Sequence, residues 1–405
     1  MSAPARWLTI VGLGEDGVEG LGAMARDAVG NAELVVGGDR HLTLAQSLIH
    51  GETLTWSNPL DATLAHIHAR RGRQVCVLAS GDPFCYGIGS RLACSVPAAE
   101  MMCIPAPSAF GLACARLGWS FADVATISFC GRPLAPLRPL LQPGARILAL
   151  SADATTPRSV ADMLNALGFS RSRIAILEAL GGPRERIRVT TAGAFVAERI
   201  DPLNLLAIEV EAEADTRVLP LAAGMPDDFF EHDGQITKRE IRAITLAHLA
   251  PRAGDLLWDI GCGSGSVAIE WLLRNSRGRA VAVDIDAGRL ARAIDNARTL
   301  GVPNLDARVG RAPGIFADLP DPDAIFVGGG TDDATLLDQA WGRLRPGGRI
   351  VANGVTIETE ARLIAAHETM GGSLTRIAVE RADSLGRYRA FRPALTVVQW
   401  AAVKP

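Results

Sequence analysis

The run Trp258-Asp259-Ile260-Gly261-Cys262-Gly263-Ser264-Gly265-Ser266 constrains this chain more than any other stretch. An apolar strand ending on an acid meets three glycines at every second position, and Val267 to Leu273 continues as an apolar helical segment. Glycines so spaced let the backbone turn tightly and approach a bound nucleotide at the start of a helix. The stretch predicts an α/β sheet with a cofactor loop at its carboxyl edge. The competing reading is a tight strand-to-helix turn that holds nothing.

Spacing alone leaves the cofactor open. Gly263-x-Gly265-x-x-Ala268 also fits the dinucleotide pattern, with Asp284 near the ~20-residue offset of a ribose-binding acid, so NAD remains an alternative. The glycine run preceded by Asp259, with Asp284 closing the next strand in AVAVDID, resembles the S-adenosylmethionine (SAM) loop of Rossmann-like methyltransferases. In that family the glycines pass the methionine end and the acid holds the ribose hydroxyls.

With 405 residues the chain has room for two domains, each with its own core. It is 48% hydrophobic and 21% charged, which predicts folded structure throughout. A net charge of -3 without a long Lys/Arg run argues against a nucleic-acid partner. No apolar run reaches the ~20 residues of a membrane span, since Met101 to Ala115 is broken by Pro105, Pro107 and Gly111. The N-terminus lacks the apolar core of a signal peptide, and seven cysteines without a CxxC pair read as reduced thiols, so a cytoplasmic protein is expected. Cys76, Cys85, Cys94 and Cys103 recur every nine residues, but strand, loop and helix separate them and no metal site is expected.

Along the chain, a strand at residues 7 to 11 leads into Gly12-Leu13-Gly14-Glu15, and a strand at Leu34 to Val36 ends in Gly37-Gly38-Asp39-Arg40-His41. Gln74 to Leu78 reads as a buried strand followed by Ser80-Gly81-Asp82-Pro83, a rigid loop of the kind on which ligands sit. Ser108 is placed to cap an apolar helix reaching Leu117. A composition shift after Glu211, with Pro220 and Pro226, predicts a boundary: a domain over 1–211, a linker over 212–224 and a second domain over 225–405. In the second part Thr237 is expected to cap a helix to Leu249 with Glu240 completing a capping box. Strands are expected near 280, 306, 323, 348, 374 and 394, which with the Trp258 strand make seven.

The early GxG turn, the SGDPxxYG loop, the PxxS helix start and Asp201 to Glu209 occur in the order seen in the tetrapyrrole (corrin and porphyrin) methylases, and the N-terminal part resembles that family. The resemblance implies two α/β lobes with SAM in the cleft between them, bordered by Gly12, Gly14, Gly81, Asp82, Ser108 and Ala207. Glu15 stands where relatives often have proline.

The C-terminal part, through Asp233 to Lys238, the glycine run, Gly310-Arg311-Ala312, Gly328-Gly329-Gly330 and Val351-Ala352-Asn353, resembles the decarboxylating precorrin methyltransferases of cobalamin synthesis. That implies a Rossmann-like seven-stranded methyltransferase domain. Thr237, Gly261, Cys262, Gly263, Ser264, Gly265, Asp284 and Ala312 would contact a second SAM. The pair of resemblances implies methylation of a precorrin at carbons 5 and 15 with loss of an acetate carboxyl, and a homo-oligomer is expected. The ring's carboxylates call for arginine forks, and Arg387, Arg389 and Arg392, with Asn353, are the expected substrate grips. Tyr388 and His232 are the expected proton donors for the decarboxylation. Three other readings stand beside this one: a ribosomal-RNA methylase built on the tetrapyrrole methylase fold, an NAD-dependent oxidoreductase, and a scaffold in which one SAM site has decayed.

Overall fold

The structure is a computed structural model and describes residues 6–196, 199–329 and 333–405. Gly330 lies outside the described residues. The chain divides into two compact units, Met1–Leu134 with Gln142–Arg217 and Ala135–Leu141 with Val218–Pro405.

The first unit contains two sheets. β1 (Leu8–Leu13), β2 (Leu34–Gly37), β3 (Glu52–Thr55), β4 (Val75–Ser80) and β5 (Met101–Ile104) form a parallel sheet in the order β3-β2-β4-β1-β5. β1, β2 and the first five residues of β4 are buried, as strands covered on both faces must be. A parallel sheet gathers its carboxyl ends on one edge, so the loops after β1, β2, β4 and β5 lie together. The second sheet is mixed and reads β6-β7-β10-β8-β9: β6 (Val124–Ser128), β7 (Arg146–Leu150), β8 (Arg173–Glu178), β9 (Arg186–Thr191) and β10 (Asn204–Glu209). β6 and β7 are parallel and the other pairs antiparallel.

The second unit carries a seven-stranded sheet of β11 (Leu256–Ile260), β12 (Arg279–Asp284), β13 (Asp306–Val309), β14 (Ala324–Val327), β15 (Arg349–Gly354), β16 (Ser373–Ile377) and β19 (Val397–Val403). Their order is β13-β12-β11-β14-β15-β19-β16, with β19 antiparallel to both neighbours. The chain steps outward from β11 on one side and returns at β14 on the other, which opens a crevice at the carboxyl ends of β11 and β14. This is the two-lobed and Rossmann-like α/β arrangement expected. The strand expected near 394 begins at Val397. The residues before it form a separate hairpin, β17 (Glu380–Leu385) and β18 (Tyr388–Pro393), turning at Gly386-Arg387. A polar, unalternating sequence there gave no sheet-face signal.

Candidate active sites

The C-terminal cavity, about 740 Å³, opens at the crevice between β11 and β14. Gly261, Gly263 and Gly265 all take left-handed φ values, 71°, 54° and 74°. A Cβ on Gly261 would sit 2.8 Å from the backbone nitrogen of Gly329, so close packing of two loops requires glycine there. Gly265 serves a neighbouring helix instead: its Cβ would lie 2.9 Å from that of Ala293. Gly261, Cys262 and Gly263 line the cavity, whereas Ser264 and Gly265 lie behind it. Ser264 is 2% exposed and its carbonyl accepts from Asn296.

Asp284 ends β12 on the cavity wall, its Oδ2 accepting from Gly263 N at 3.0 Å and its Oδ1 from Asp286 N at 3.0 Å. Each oxygen keeps one further lone pair beyond these bonds. Ile285, 64% exposed, and Ala312 line the same end. Asp259 lies beneath the loop. Its Oδ2 accepts from Ala268 N at 3.0 Å while Oδ1 has no partner among the described residues. Burial, with a further push from Asp284, raises its carboxyl to about 7. Burial and the same two acids hold the Cys262 thiol far above its usual range, so it stays protonated and uncharged.

The opposite end of this cavity is built by Asn353 at the end of β15, by Leu395 and by Arg381 of the hairpin, which pairs with Glu240. Thr237 lines the cavity but does not cap the following helix. That helix runs Arg239–Leu249 with Lys238 at its N-cap and no side-chain cap, and the Thr237 carbonyl accepts from the buried Arg242. The expected substrate arginines are not brought to the cavity. Arg387 stacks over the Tyr388 ring, Arg392 pairs with Asp383 at 3.2 Å, and Arg389 is exposed on β18. Tyr388 is 63% exposed outside the cavity wall, and His232 Nδ1 accepts from Gly234 N. The hairpin presents that cluster to solvent and only Arg381 to the cavity. Sequence reasoning missed Arg381 and read Glu240 as a capping-box acid, whereas the two pair across 141 residues.

The N-terminal cavity, about 450 Å³, collects the carboxyl ends of the parallel sheet: Gly14 and Glu15 after β1, Arg40 and His41 after β2, Gly81 and Asp82 after β4, and Ser108 after β5. Glu15 accepts from Arg40 and Arg184, and Arg40 donates to Ser80 Oγ at 2.7 Å. His41 Nε2 lies 2.9 Å from Ser80 Oγ; burial, and then the Arg40 charge, lowers its pKa to about 4. Ser108 Oγ accepts from Gly111 N and caps the helix Ala109–Leu117 as expected. Gly12 and Ala207 do not line the cavity. Ala207 is 2% exposed within β10, and a Cβ on Gly12 would meet Gly81 O at 1.9 Å. Arg40 and His41 were missed as site residues; their signal was the strand end that precedes them.

Residues 7–196 match the tetrapyrrole (corrin/porphyrin) methylases and residues 228–404 the precorrin methyltransferase domain. A precorrin-6Y C(5,15)-methyltransferase [decarboxylating] from Sinorhizobium sp is 50% identical over 398 residues, covering 98% of this chain and 96% of that protein. The chain belongs to the decarboxylating precorrin-6Y C(5,15)-methyltransferases. A member of this family from Mycobacterium tuberculosis is 37% identical over 400 residues, 98% of this chain and all of that protein. A probable cobalt-precorrin-6B C(15)-methyltransferase (decarboxylating) from Pyrobaculum calidifontis is 37% identical over 190 residues, which is 44% of this chain and 96% of that protein. A precorrin-6Y methyltransferase of this kind is a SAM-dependent C-methyltransferase of cobalamin synthesis. Among the described residues no helix is long and apolar enough to cross a membrane.

Proposed function

We propose that the chain divides its chemistry by domain, residues 1–211 methylating carbon 5 of the precorrin and residues 225–405 methylating carbon 15 and releasing the acetate carboxyl, with 212–224 as the link. Each domain is assigned its own SAM. The observation that carries this reading is a separate cavity at the carboxyl edge of each unit's parallel strands. The Pyrobaculum relative supports the assignment, since a protein named for C(15) methylation and decarboxylation matches less than half of this chain over nearly its own full length.

The C-terminal residues fit the cofactor: the glycine turn leaves room for the methionine end, Asp284 offers two acceptors to ribose hydroxyls, and Ile285 with Ala312 offers apolar surface to a base. SAM supplies an electrophilic methyl group. The reduced macrocycle is itself the nucleophile, so the chain's task is alignment and exclusion of water rather than strong base catalysis. Asn353 and Arg381 at the far end are suited to hold ring carboxylates. In the N-terminal cavity Gly14, Gly81, Asp82 and Ser108 are the cofactor-facing candidates, and Arg40 is the cation for the ring.

The seven cysteines are all unpaired, in keeping with a reducing cytoplasm. We assign no nucleic-acid partner and expect a homo-oligomer, because Tyr388, Phe391 and Leu395 expose apolar surface on and beside an isolated two-stranded hairpin. Replacing Gly261 and Gly263 together by valine in the full chain tests the division. With SAM and precorrin-6Y, carbon dioxide release and carbon 15 methylation should be lost while carbon 5 methylation persists. Continued carbon dioxide release overturns the assignment.

A further inference from the structure

Behind the far wall of the C-terminal cavity four polar side chains join in one network. Asn353 Nδ2 lies 3.1 Å from Thr245 Oγ1, Gln399 Nε2 lies 3.0 Å from the same hydroxyl and 2.8 Å from Asn353 Oδ1, and His248 Nδ1 lies 2.7 Å from Gln399 Oε1. Thr245 and Gln399 are 0% and 1% exposed, His248 is exposed, and Asn353 faces the cavity.

Counting hydrogens settles which way both amides face. With the amides as drawn, Gln399 gives one hydrogen to Thr245 and one to Asn353 Oδ1, and Asn353 gives one to Thr245, so every contact has a donor and an acceptor. Turning Gln399 alone brings its oxygen against Asn353 Oδ1, and turning Asn353 alone brings its nitrogen against Gln399 Nε2. Turning both leaves the single Thr245 hydrogen between two oxygens. The drawn arrangement is therefore the satisfied one, as groups this buried require. Two consequences follow. Both Gln399 hydrogens are used, so its oxygen faces His248 and the histidine must carry its proton on Nδ1. One Asn353 hydrogen remains without a partner among the described residues, on the side chain that lines the cavity.

We infer that Gln399 is a positioning residue that locks the Asn353 amide so that it offers an N–H donor, never an oxygen, to a carboxylate of the bound macrocycle. The strand order supports the ligand class. Asp284 and the glycine turn occupy the β11 and β12 side, whereas Asn353 lies near the end of β15, on the far side of β14, in the cavity that Arg381 also lines. A locked N–H donates to an anionic oxygen, whereas a freely turning amide presents its own oxygen part of the time. The inference rests on the precorrin reading above for its ligand but not for its geometry.

Gln399→Met keeps the shape and removes both donors. In the full chain, its KM for precorrin-6Y in carbon dioxide release should rise roughly tenfold, the worth of one hydrogen bond to a charged group, with kcat and SAM affinity of the C-terminal site nearly unchanged. Asn353→Asp, which puts an oxygen where the N–H stands, should raise KM further. Asn353→Ser, which keeps a donor, should recover part of the loss. Histidine-selective nitrogen NMR should report His248 in its Nδ1–H form in the parent and a mixture in Gln399→Met. An Nε2–H form in the parent, or an unchanged KM in Asn353→Asp, overturns the inference. If the parent fails to decarboxylate precorrin-6Y, the substrate reading falls while the His248 form still decides the network.

Discussion

The two cavities both open at the carboxyl edge of parallel strands after a glycine turn, yet the glycines serve different ends. In the C-terminal unit Gly261 and Gly263 form the cavity wall itself, with left-handed backbone that a side chain would strain. In the N-terminal unit Gly12 is set off the wall, packed against Gly81 O and Ala106 N, and Gly14 and Gly81 share the wall with side chains from four strand ends. Polar content differs in the same way. The acid beside the C-terminal glycine turn, Asp284, accepts from backbone N–H groups, while the N-terminal wall carries the linked charges of Glu15 and Arg40. A glycine pattern after a strand thus reports close backbone approach, and only the geometry tells whether a ligand or another loop makes that approach.

The largest expected effect comes from the buried glycine. Gly12→Ala would put a Cβ 1.9 Å from Gly81 O and 2.5 Å from Ala106 N, two backbone atoms that cannot move independently. We expect a loss of more than about 4 kcal/mol in the N-terminal unit and loss of carbon 5 methylation, with carbon dioxide release retained. Differential scanning calorimetry with product mass analysis checks both. An N-terminal unit that tolerates the methyl group would erase the contrast.

Next in size is Asp284→Ala, expected to weaken SAM binding at the C-terminal site by roughly 1.5 to 3 kcal/mol, as for hydrogen bonds to a charged group. Titration calorimetry should show one weakened and one unchanged site. Two unchanged affinities would move the ribose contact elsewhere.

Asp259 distinguishes the units by pH. Its carboxyl, ordinarily near 3.8, titrates at about 7 because burial disfavours the charge. Between those values the folded chain holds a proton that the unfolded chain has released, so stability falls as pH rises through the window and the cost is complete above about 7. Asp259→Asn keeps an acceptor for Ala268 N and removes the charge. It should stabilise the C-terminal unit by up to about 4 kcal/mol near pH 8 and by almost nothing near pH 4. Thermal unfolding at the two pH values would refute this if the gain were equal at both.

These contrasts also show what was legible in the sequence. The Rossmann-like layout, the glycine turns, the Ser108 cap and the acid at Asp284 rest on short contiguous patterns whose physics is local, whereas the two-lobed N-terminal fold was reached through a family resemblance. The pairs Arg381 with Glu240 and Gln399 with Thr245 join residues 141 and 154 positions apart, and no local pattern announces them. Ala207 fails to reach the N-terminal cavity because it lies within a central strand, packed between β7 and β8, where the ends Leu203 to Leu205 form the wall instead. The arginines near 390 were read as one cluster, but strand alternation and the hairpin turn separate them from Arg381, the hairpin cation that lines the cavity.

That separation sets the smallest expected effect. Arg387 stacks on an exposed Tyr388, and Arg389 projects from an exposed strand, so neither loses much water or meets a buried partner. Exposed charges of this kind contribute little, and the double variant Arg387→Ala, Arg389→Ala should change KM for precorrin-6Y in carbon dioxide release by less than about twofold. Arg381 lies on the same hairpin but lines the cavity and is held there by Glu240. Its substitution by alanine should raise that KM roughly tenfold, because a charge-assisted contact to a ring carboxylate is lost. Steady-state carbon dioxide release measured on both variants compares two faces of one hairpin. A large loss in the double variant with none in Arg381→Ala would return the substrate grip to the outer face and remove Arg381 from the site.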